Sequence, residues 1–302
     1  MLVVVVALML APAPAGADHD GVDVPWTDML PPLATAADPQ PGPVEHCRRA
    51  RVECVERAAR RMARMRDRFG CDHRAIFPVT YWHVTTLIAE SLRAEPDFFD
   101  DPEFLIYEAQ LFANYFYRAY RRNRVGLPAP PAWQIAFDAW AQGDTNAAQD
   151  MLLGINAHVQ RDMPFVLAEL GLRTPGGASR KPDHDRENEI LNRAYDPIVA
   201  QIGAEYDPLV EVADGGPSPV DDIMGLQLVR GWREGVWRNA ERLLDARGEH
   251  RRARVARSIE LNAATWARTI AAFRVPGYGA SRDAYCAASR LREPANSAGA
   301  SP

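Results

Sequence analysis

The chain has almost no lysine: of its 35 basic residues only Lys181 is lysine, and the rest are arginine. Set beside the many alanines, this reads as the imprint of a GC-rich genome. Excess charge is missing too. The 35 basic and 40 acidic residues leave a net charge of -5, which argues against a protein built mainly to hold nucleic acid. Sustained apolar/polar alternation is absent, so nothing points to a sheet. Common catalytic signatures are absent as well. The chain has no glycine-rich phosphate loop, no G-x-S-x-G elbow, no H-E-x-x-H and no C-x-x-C. No internal repeat is apparent. A composition of 47% hydrophobic and 25% charged residues excludes wholesale disorder.

What is present begins with an export signal. Leu2 to Leu10 are uninterrupted and apolar, and Ala15-Gly16-Ala17 fits a small-residue cleavage site. The run is far shorter than the roughly 20 residues a membrane span needs. No lysine or arginine precedes it, which departs from the usual signal pattern. The division read from the chain is a signal peptide at 1–17 and a Pro-rich leader at 18–43. A helical domain follows at 44–290, with a loose tail at 291–302.

Four cysteines in an exported chain point to two disulfides. Residues 52–69 hold no glycine or proline and read as a helix. That helix would place Cys54 and Cys71 about 25 Å apart, whereas a disulfide needs Cα atoms within about 7 Å. Cys47–Cys71 is worse. The pairing left is Cys47–Cys54 and Cys71–Cys286, which requires residues 47–53 to be non-helical.

The body reads as all-α, one compact domain of about eight helices tied by disulfides. Period-3.6 patterning and stop signals place helices near 52–69, 77–94, 102–124, 132–142, 145–170, 184–206, 221–246 and 249–273. Asp101-Pro102 opens the third. Arg121, Arg122 and Arg124 followed by Gly126 close it, in the order the helix dipole favours.

Polar residues on apolar faces are the site candidates. His158 and Asp162, four apart, border the stripe of the 145–170 helix. Pro164 cannot bond the carbonyl of Gln160 and is expected to kink that helix. Glu108 sits among Phe104, Leu111 and Tyr115. His184 lies on the stripe of the 184–206 helix, flanked by Glu187 and Asn188, with Asp183 as its expected N-cap. Histidine and carboxylate ligands drawn from several helices are how bundles build metal sites. Each candidate also has a structural role open to it. His158–Asp162 can brace the kink as a hydrogen-bonded pair, and Glu108 can pair with an arginine. Tyr81, Trp82, Tyr115, Tyr117 and Trp133 are candidates to line a groove.

The stretch Leu153-Gly154-Ile155-Asn156-Ala157-His158-Val159-Gln160-Arg161-Asp162-Met163-Pro164-Phe165 resembles a bacterial family of secreted helical proteins of unknown function. Cys71-Asp72-His73, Arg180 to Asn188, Trp232-Arg233, Trp237 to Ala240 and Arg282 to Cys286 carry the same resemblance, which covers most of residues 47–287. It implies an all-helical secreted protein and no assigned reaction. A weaker similarity is to the helical zinc phospholipase C and single-strand nuclease group, through the His158-x-x-x-Asp162 spacing. Here Pro164 follows the aspartate too closely, no histidine ligand follows nearby, and the expected mature N-terminus lacks a tryptophan.

The reading these residues favour is a secreted, non-catalytic binding or structural module. Its partner is left open between a small molecule and a component of the cell envelope, with no nucleic acid and no membrane span in the mature chain. The alternative is a divalent-metal hydrolase acting on a phosphoester or lipid headgroup. His158, Asp162 and His184 would then hold a metal such as zinc, with Glu108 as general base or fourth ligand. N-terminal sequencing of the exported protein is expected to begin at Asp18; a mature chain that keeps Leu2 to Leu10 would refute the cleavage site.

Overall fold

The computed structural model describes residues 38–210, 219–274 and 277–292, for 219–225 and 292 the backbone alone. The expected signal peptide and most of the leader lie outside these residues. All eight expected helices are present. They are α1 (Val52–Phe69), α2 (Ile76–Ala94), α3 (Pro102–Arg124), α4 (Pro131–Gln142), a rod from Ala147 to Leu170, α7 (Lys181–Glu205), α8 (Pro219–Asp245) and α9 (Glu249–Ala271). A ninth, α10 (Tyr278–Arg292), was not anticipated. Two isolated bridges, Val44 with Cys47 and Arg173 with Ser179, are the β-type pairings among the described residues. No described helix is long and apolar enough to cross a membrane.

The helix ends follow local chemistry. Asp101 accepts the Phe104 N–H at 3.1 Å, and Pro102 takes the first helical position. Gly70 ends α1 at a φ of 59°, where a side chain would be strained. Asp72 caps the short turn before α2 by accepting the Arg74 N–H at 2.8 Å. Both expected disulfides form. Cys47 and Cys54 bring their Cα atoms to 5.6 Å, and Cys71 and Cys286 to 5.7 Å. The first closes although α1 already begins at Val52, because the Val44–Cys47 turn folds the preceding chain back onto the first helical turn. The second ties α10 to the start of the domain.

The rod from Ala147 to Leu170 does not break at Pro164. It runs as α5 (Ala147–Ile155), a π-helical segment (Asn156–Asp162) and α6 (Met163–Leu170). Met163 N–H reaches back five residues to the His158 carbonyl. Pro164 has no N–H to donate, and the π segment ends just ahead of it, at the place where the sequence suggests a kink. Asp183 is not the N-cap that the sequence suggests. α7 starts three residues earlier than expected, at Lys181, with no side-chain cap. Asp183 instead accepts the backbone N–H groups of Asp100 and Asp101 at 2.8 and 2.7 Å, bracing the entry to α3.

The main core is aromatic. Phe77, Phe116, Trp133 and Trp140 pack at ring separations of 4.8 to 6.5 Å. Trp133 and Tyr81 are buried in this core, so they do not line a groove. A second cluster joins Ile76, Val79, Ile198, Ile202, Tyr206 and Cys286. Close approach at the rod depends on Gly154, because a Cβ there would overlap the Phe77 ring. In an exposed helix, Gly→Ala would stabilise by about 1 kcal/mol. Here Gly154→Ala is expected to destabilise by about 1–3 kcal/mol through overpacking, read as a lower midpoint in urea denaturation.

Candidate functional site

α3 and α7 bring three ionisable side chains together inside the protein. Glu108 comes from α3, and His184 and Glu187 come from successive turns of α7. Their exposures are 1%, 0% and 7%. One ligand atom from each lies within 4.8 Å of the others. Arg233, from α8, reaches into the same place. It donates to Glu187 Oε2 at 2.6 Å, to His184 Nδ1 at 3.1 Å and to the His184 carbonyl. His184 Nε2 lies 3.2 Å from the Arg233 carbonyl. A guanidinium only donates and a carbonyl only accepts, so the proton of His184 is on Nε2. Neither carboxylate oxygen of Glu108 has a hydrogen-bond partner among the described residues. The buried Oδ1 of Asn188 also has none.

Burial controls the protonation of this centre. It pushes Glu108 well above the ordinary carboxylate range, and the neighbouring Glu187 adds to that while Arg233 opposes it. Glu187 is raised by burial against the pull of Arg233. His184 is driven well below the ordinary histidine value by burial, then by the positive charges of Arg233 and Lys181.

The set of four expected from the sequence is divided. Glu108 and His184 do meet, with Glu187 as their third partner. His158 and Asp162 belong to a separate network on the π segment. Asp162 accepts from Trp133 Nε1 at 2.8 Å and from Arg161 at 2.8 Å, and His158 Nδ1 lies 3.2 Å from it. The His158 ring stacks on Phe112 with centroids 3.3 Å apart. Burial lowers its pKa, and Asp162 opposes this. Asp162 is therefore saturated by neighbours of its own. A third network was missed in the sequence. Asp150 holds His73 Nδ1 at 2.7 Å, Arg282 at 2.6 Å and Thr145 Oγ1 at 2.5 Å. Arg233 and Arg282 carried no local signal, since their partners lie 46 to 132 residues away in sequence.

At the surface, α1 presents a different arrangement. Arg57, Arg60, Arg61 and Arg64 recur at the spacing of one helix face. With His46, Ala58, Gln110 and Tyr117 they line a cleft of about 260 Å³. Arg57 is shared with a second cleft of about 350 Å³, which Arg48, Arg49, Arg51, Glu53 and Cys54 also line. The Arg61 guanidinium lies 3.6 Å from the Tyr117 ring centroid. Glu53 and Glu56 turn to Arg93, at 3.3 and 2.6 Å, and Glu56 also pairs with Arg60 at 3.6 Å. Among the described residues, Arg48, Arg49, Arg51, Arg57, Arg61 and Arg64 form no ion pair with a carboxylate. Only the density of arginine at 48–64 signalled this face in the sequence.

A family model matches residues 55–273. The chain belongs to DUF5995, a family of unknown function. The matched region contains Glu108, His184, Glu187 and Arg233 as well as the His158–Asp162 pair. Cys47, Cys54 and Arg282 fall outside it. No curated protein and no solved structure matches the chain.

The two buried rings set a pH dependence. His158 and His184 both have folded pKa values below the ordinary value near 6.5. The fold therefore has their full contribution above that pH and loses it as pH falls below it. The rings' share of the folding free energy is expected to fall between pH 6.5 and 5 in urea denaturation, while the raised Glu108 and Glu187 act in the opposite sense over that range. His158→Gln is expected to lessen that slope by up to about 1.4 kcal/mol per pH unit, the value of one proton; an unchanged slope would mean that His158 does not stay neutral in the fold.

Proposed function

We propose that this chain is an exported, non-catalytic binding module. Its ligand is a small molecule bearing two or more phosphate or carboxylate groups, held on the arginine face of α1. The observation that carries this reading is the cleft formed by Arg57, Arg60, Arg61 and Arg64 over Tyr117. Like charges one helical turn apart repel, which costs folding free energy unless something neutralises them. Residues 47–68 hold nine arginines and three carboxylates in a chain whose net charge is -5. Positive charge is thus concentrated on one element against the overall balance, which draws anions to it.

The geometry suits recognition. Arg57 and Arg64 are separated by about 10 Å along the helix axis, a span that rewards a ligand with several anionic groups. Guanidinium groups bind phosphate and carboxylate in a planar, two-bond fork. The floor is held in place from below. Gln110 donates to Asn114 at 3.0 Å, and Asn114 to the Glu45 carbonyl at 2.8 Å. At the rim, His46 adopts a φ of 71°, unusual for a residue with a side chain, and its carbonyl accepts from Arg57 at 3.1 Å. Backbone strain of this kind collects at ligand sites. The apolar run at Leu2 to Leu10 and the two disulfides support export.

Titration calorimetry with tripolyphosphate, pyrophosphate and citrate tests the reading at low salt. Binding is expected to weaken as salt rises. Arg57→Gln and Arg61→Gln are each expected to weaken it by about tenfold to a hundredfold, the worth of a charged hydrogen bond. Absence of binding to all three anions, or equal binding by both variants, would refute the proposal.

A further inference from the structure

The buried centre carries an inference that does not depend on the arginine face. Glu108 has both carboxylate oxygens unpartnered at 1% exposure. A buried carboxyl without a partner is costly, so something absent from the polypeptide normally satisfies it. The groups around it are metal-ligating types. His184 and Glu187 stand three apart on α7, so both face α3 from the same side. Their ligand atoms, Nδ1 and Oε2, are 3.8 Å apart. That separation lets both reach one ion at the usual 2.0–2.2 Å after small adjustment.

The hydrogen bonding of His184 points the same way. Its Nε2–H donates to the Arg233 carbonyl, which leaves the Nδ1 lone pair facing Glu187. A metal-bound histidine almost always donates its other N–H to a carbonyl or carboxylate in this manner. The Arg233 guanidinium nitrogen lies 3.1 Å from Nδ1 and 2.6 Å from Glu187 Oε2. Positive charge therefore already sits beside the place an ion would take. Glu108 feels that charge but accepts no hydrogen bond from it.

We propose that Glu108, Glu187 and His184 Nδ1 bind one divalent transition-metal ion of the zinc or manganese type, and that Arg233 is the counter-cation that holds the site when the ion is absent. On binding, the ion takes the two carboxylates and the imidazole, and the guanidinium withdraws from Nδ1 and Oε2. The ligands are two oxygens and one nitrogen, a set suited to these metals. With all three ligands sealed from solvent, the ion would lock α3 to α7.

Three variants of the full, disulfide-intact chain test this with zinc chloride and manganese chloride. The readouts are titration calorimetry, the metal-induced shift in melting temperature and metal content by elemental mass spectrometry. The parent is expected to bind one ion and to melt at a higher temperature with it. Glu108→Gln replaces an unpartnered acid by a neutral amide of the same shape. It is expected to fold as well as the metal-free parent and to bind more than about 100-fold more weakly, beyond the loss seen for a merely supporting residue. His184→Gln is expected to lose the melting shift. Arg233→Met leaves Glu187 unpaired, so its metal-free form is expected to melt lower, and the added ion is expected to restore it. Its affinity is expected to rise by about tenfold, because a positive charge beside the ion is gone. No ion bound by the parent, or a Glu108→Gln variant that binds as the parent does, overturns the proposal. So does an Arg233→Met variant that zinc and manganese both fail to rescue. None of these results bears on polyphosphate binding at α1.

Discussion

The contact of Arg233 with His184 and Glu187 is the constraint around which the polar interior is arranged. A guanidinium brought into a protein core needs acceptors, and these come from one helix and face a second. Because the acceptors sit on α7 and the donor on α8, satisfying the charge fixes the two helices relative to one another. The same placement leaves Glu108, on α3, inside the cluster with no donor of its own. One helix pairing thus settles which buried group is satisfied and which is left open.

Four further buried carboxylates, Asp150, Asp162, Asp183 and Asp207, follow the same logic. Each binds groups from elements distant in sequence, so each acts as a cross-brace. Asp150 joins α5 to His73 ahead of α2 and to Arg282 on α10. Asp162 joins the π segment to Trp133 on α4. Asp183 joins α7 to the backbone ahead of α3. Asp207 accepts the Ala147 N–H at 2.8 Å and the Tyr278 hydroxyl, tying the end of α7 to α5 and α10. Apolar packing tolerates small slides of one helix over another. Charged hydrogen bonds inside the core tolerate fewer, because a displaced carboxylate is left unpaired.

Charge is divided between interior and surface. Inside, most carboxylates and arginines are matched one to another. On α1, arginine stands largely unmatched around two adjoining clefts. Membership of a family of unknown function supplies no reaction. What distinguishes the arginine face and the buried centre is their charge, shape and hydrogen bonding.

Helix identity was set by local rules that a sequence displays directly. Asp101-Pro102 opens α3, the arginines and Gly126 close it, and the absence of glycine and proline from 52–69 makes α1 continuous. The disulfide pairing followed as well, since a rigid helix keeps Cys54 from Cys71. Patterning also showed that Glu108, His158, Asp162 and His184 face inward. It did not show which of them meet. Helical phase gives the direction of a side chain to within a face, while a site requires atoms of different helices to converge within a few ångströms. That convergence depends on how helices stack, on the π segment that re-aims His158 and Asp162, and on where Arg233 and Arg282 arrive from far along the chain. Periodicity fixes which way a residue points because it is a property of one helix; packing decides what it touches because contact is a property of two.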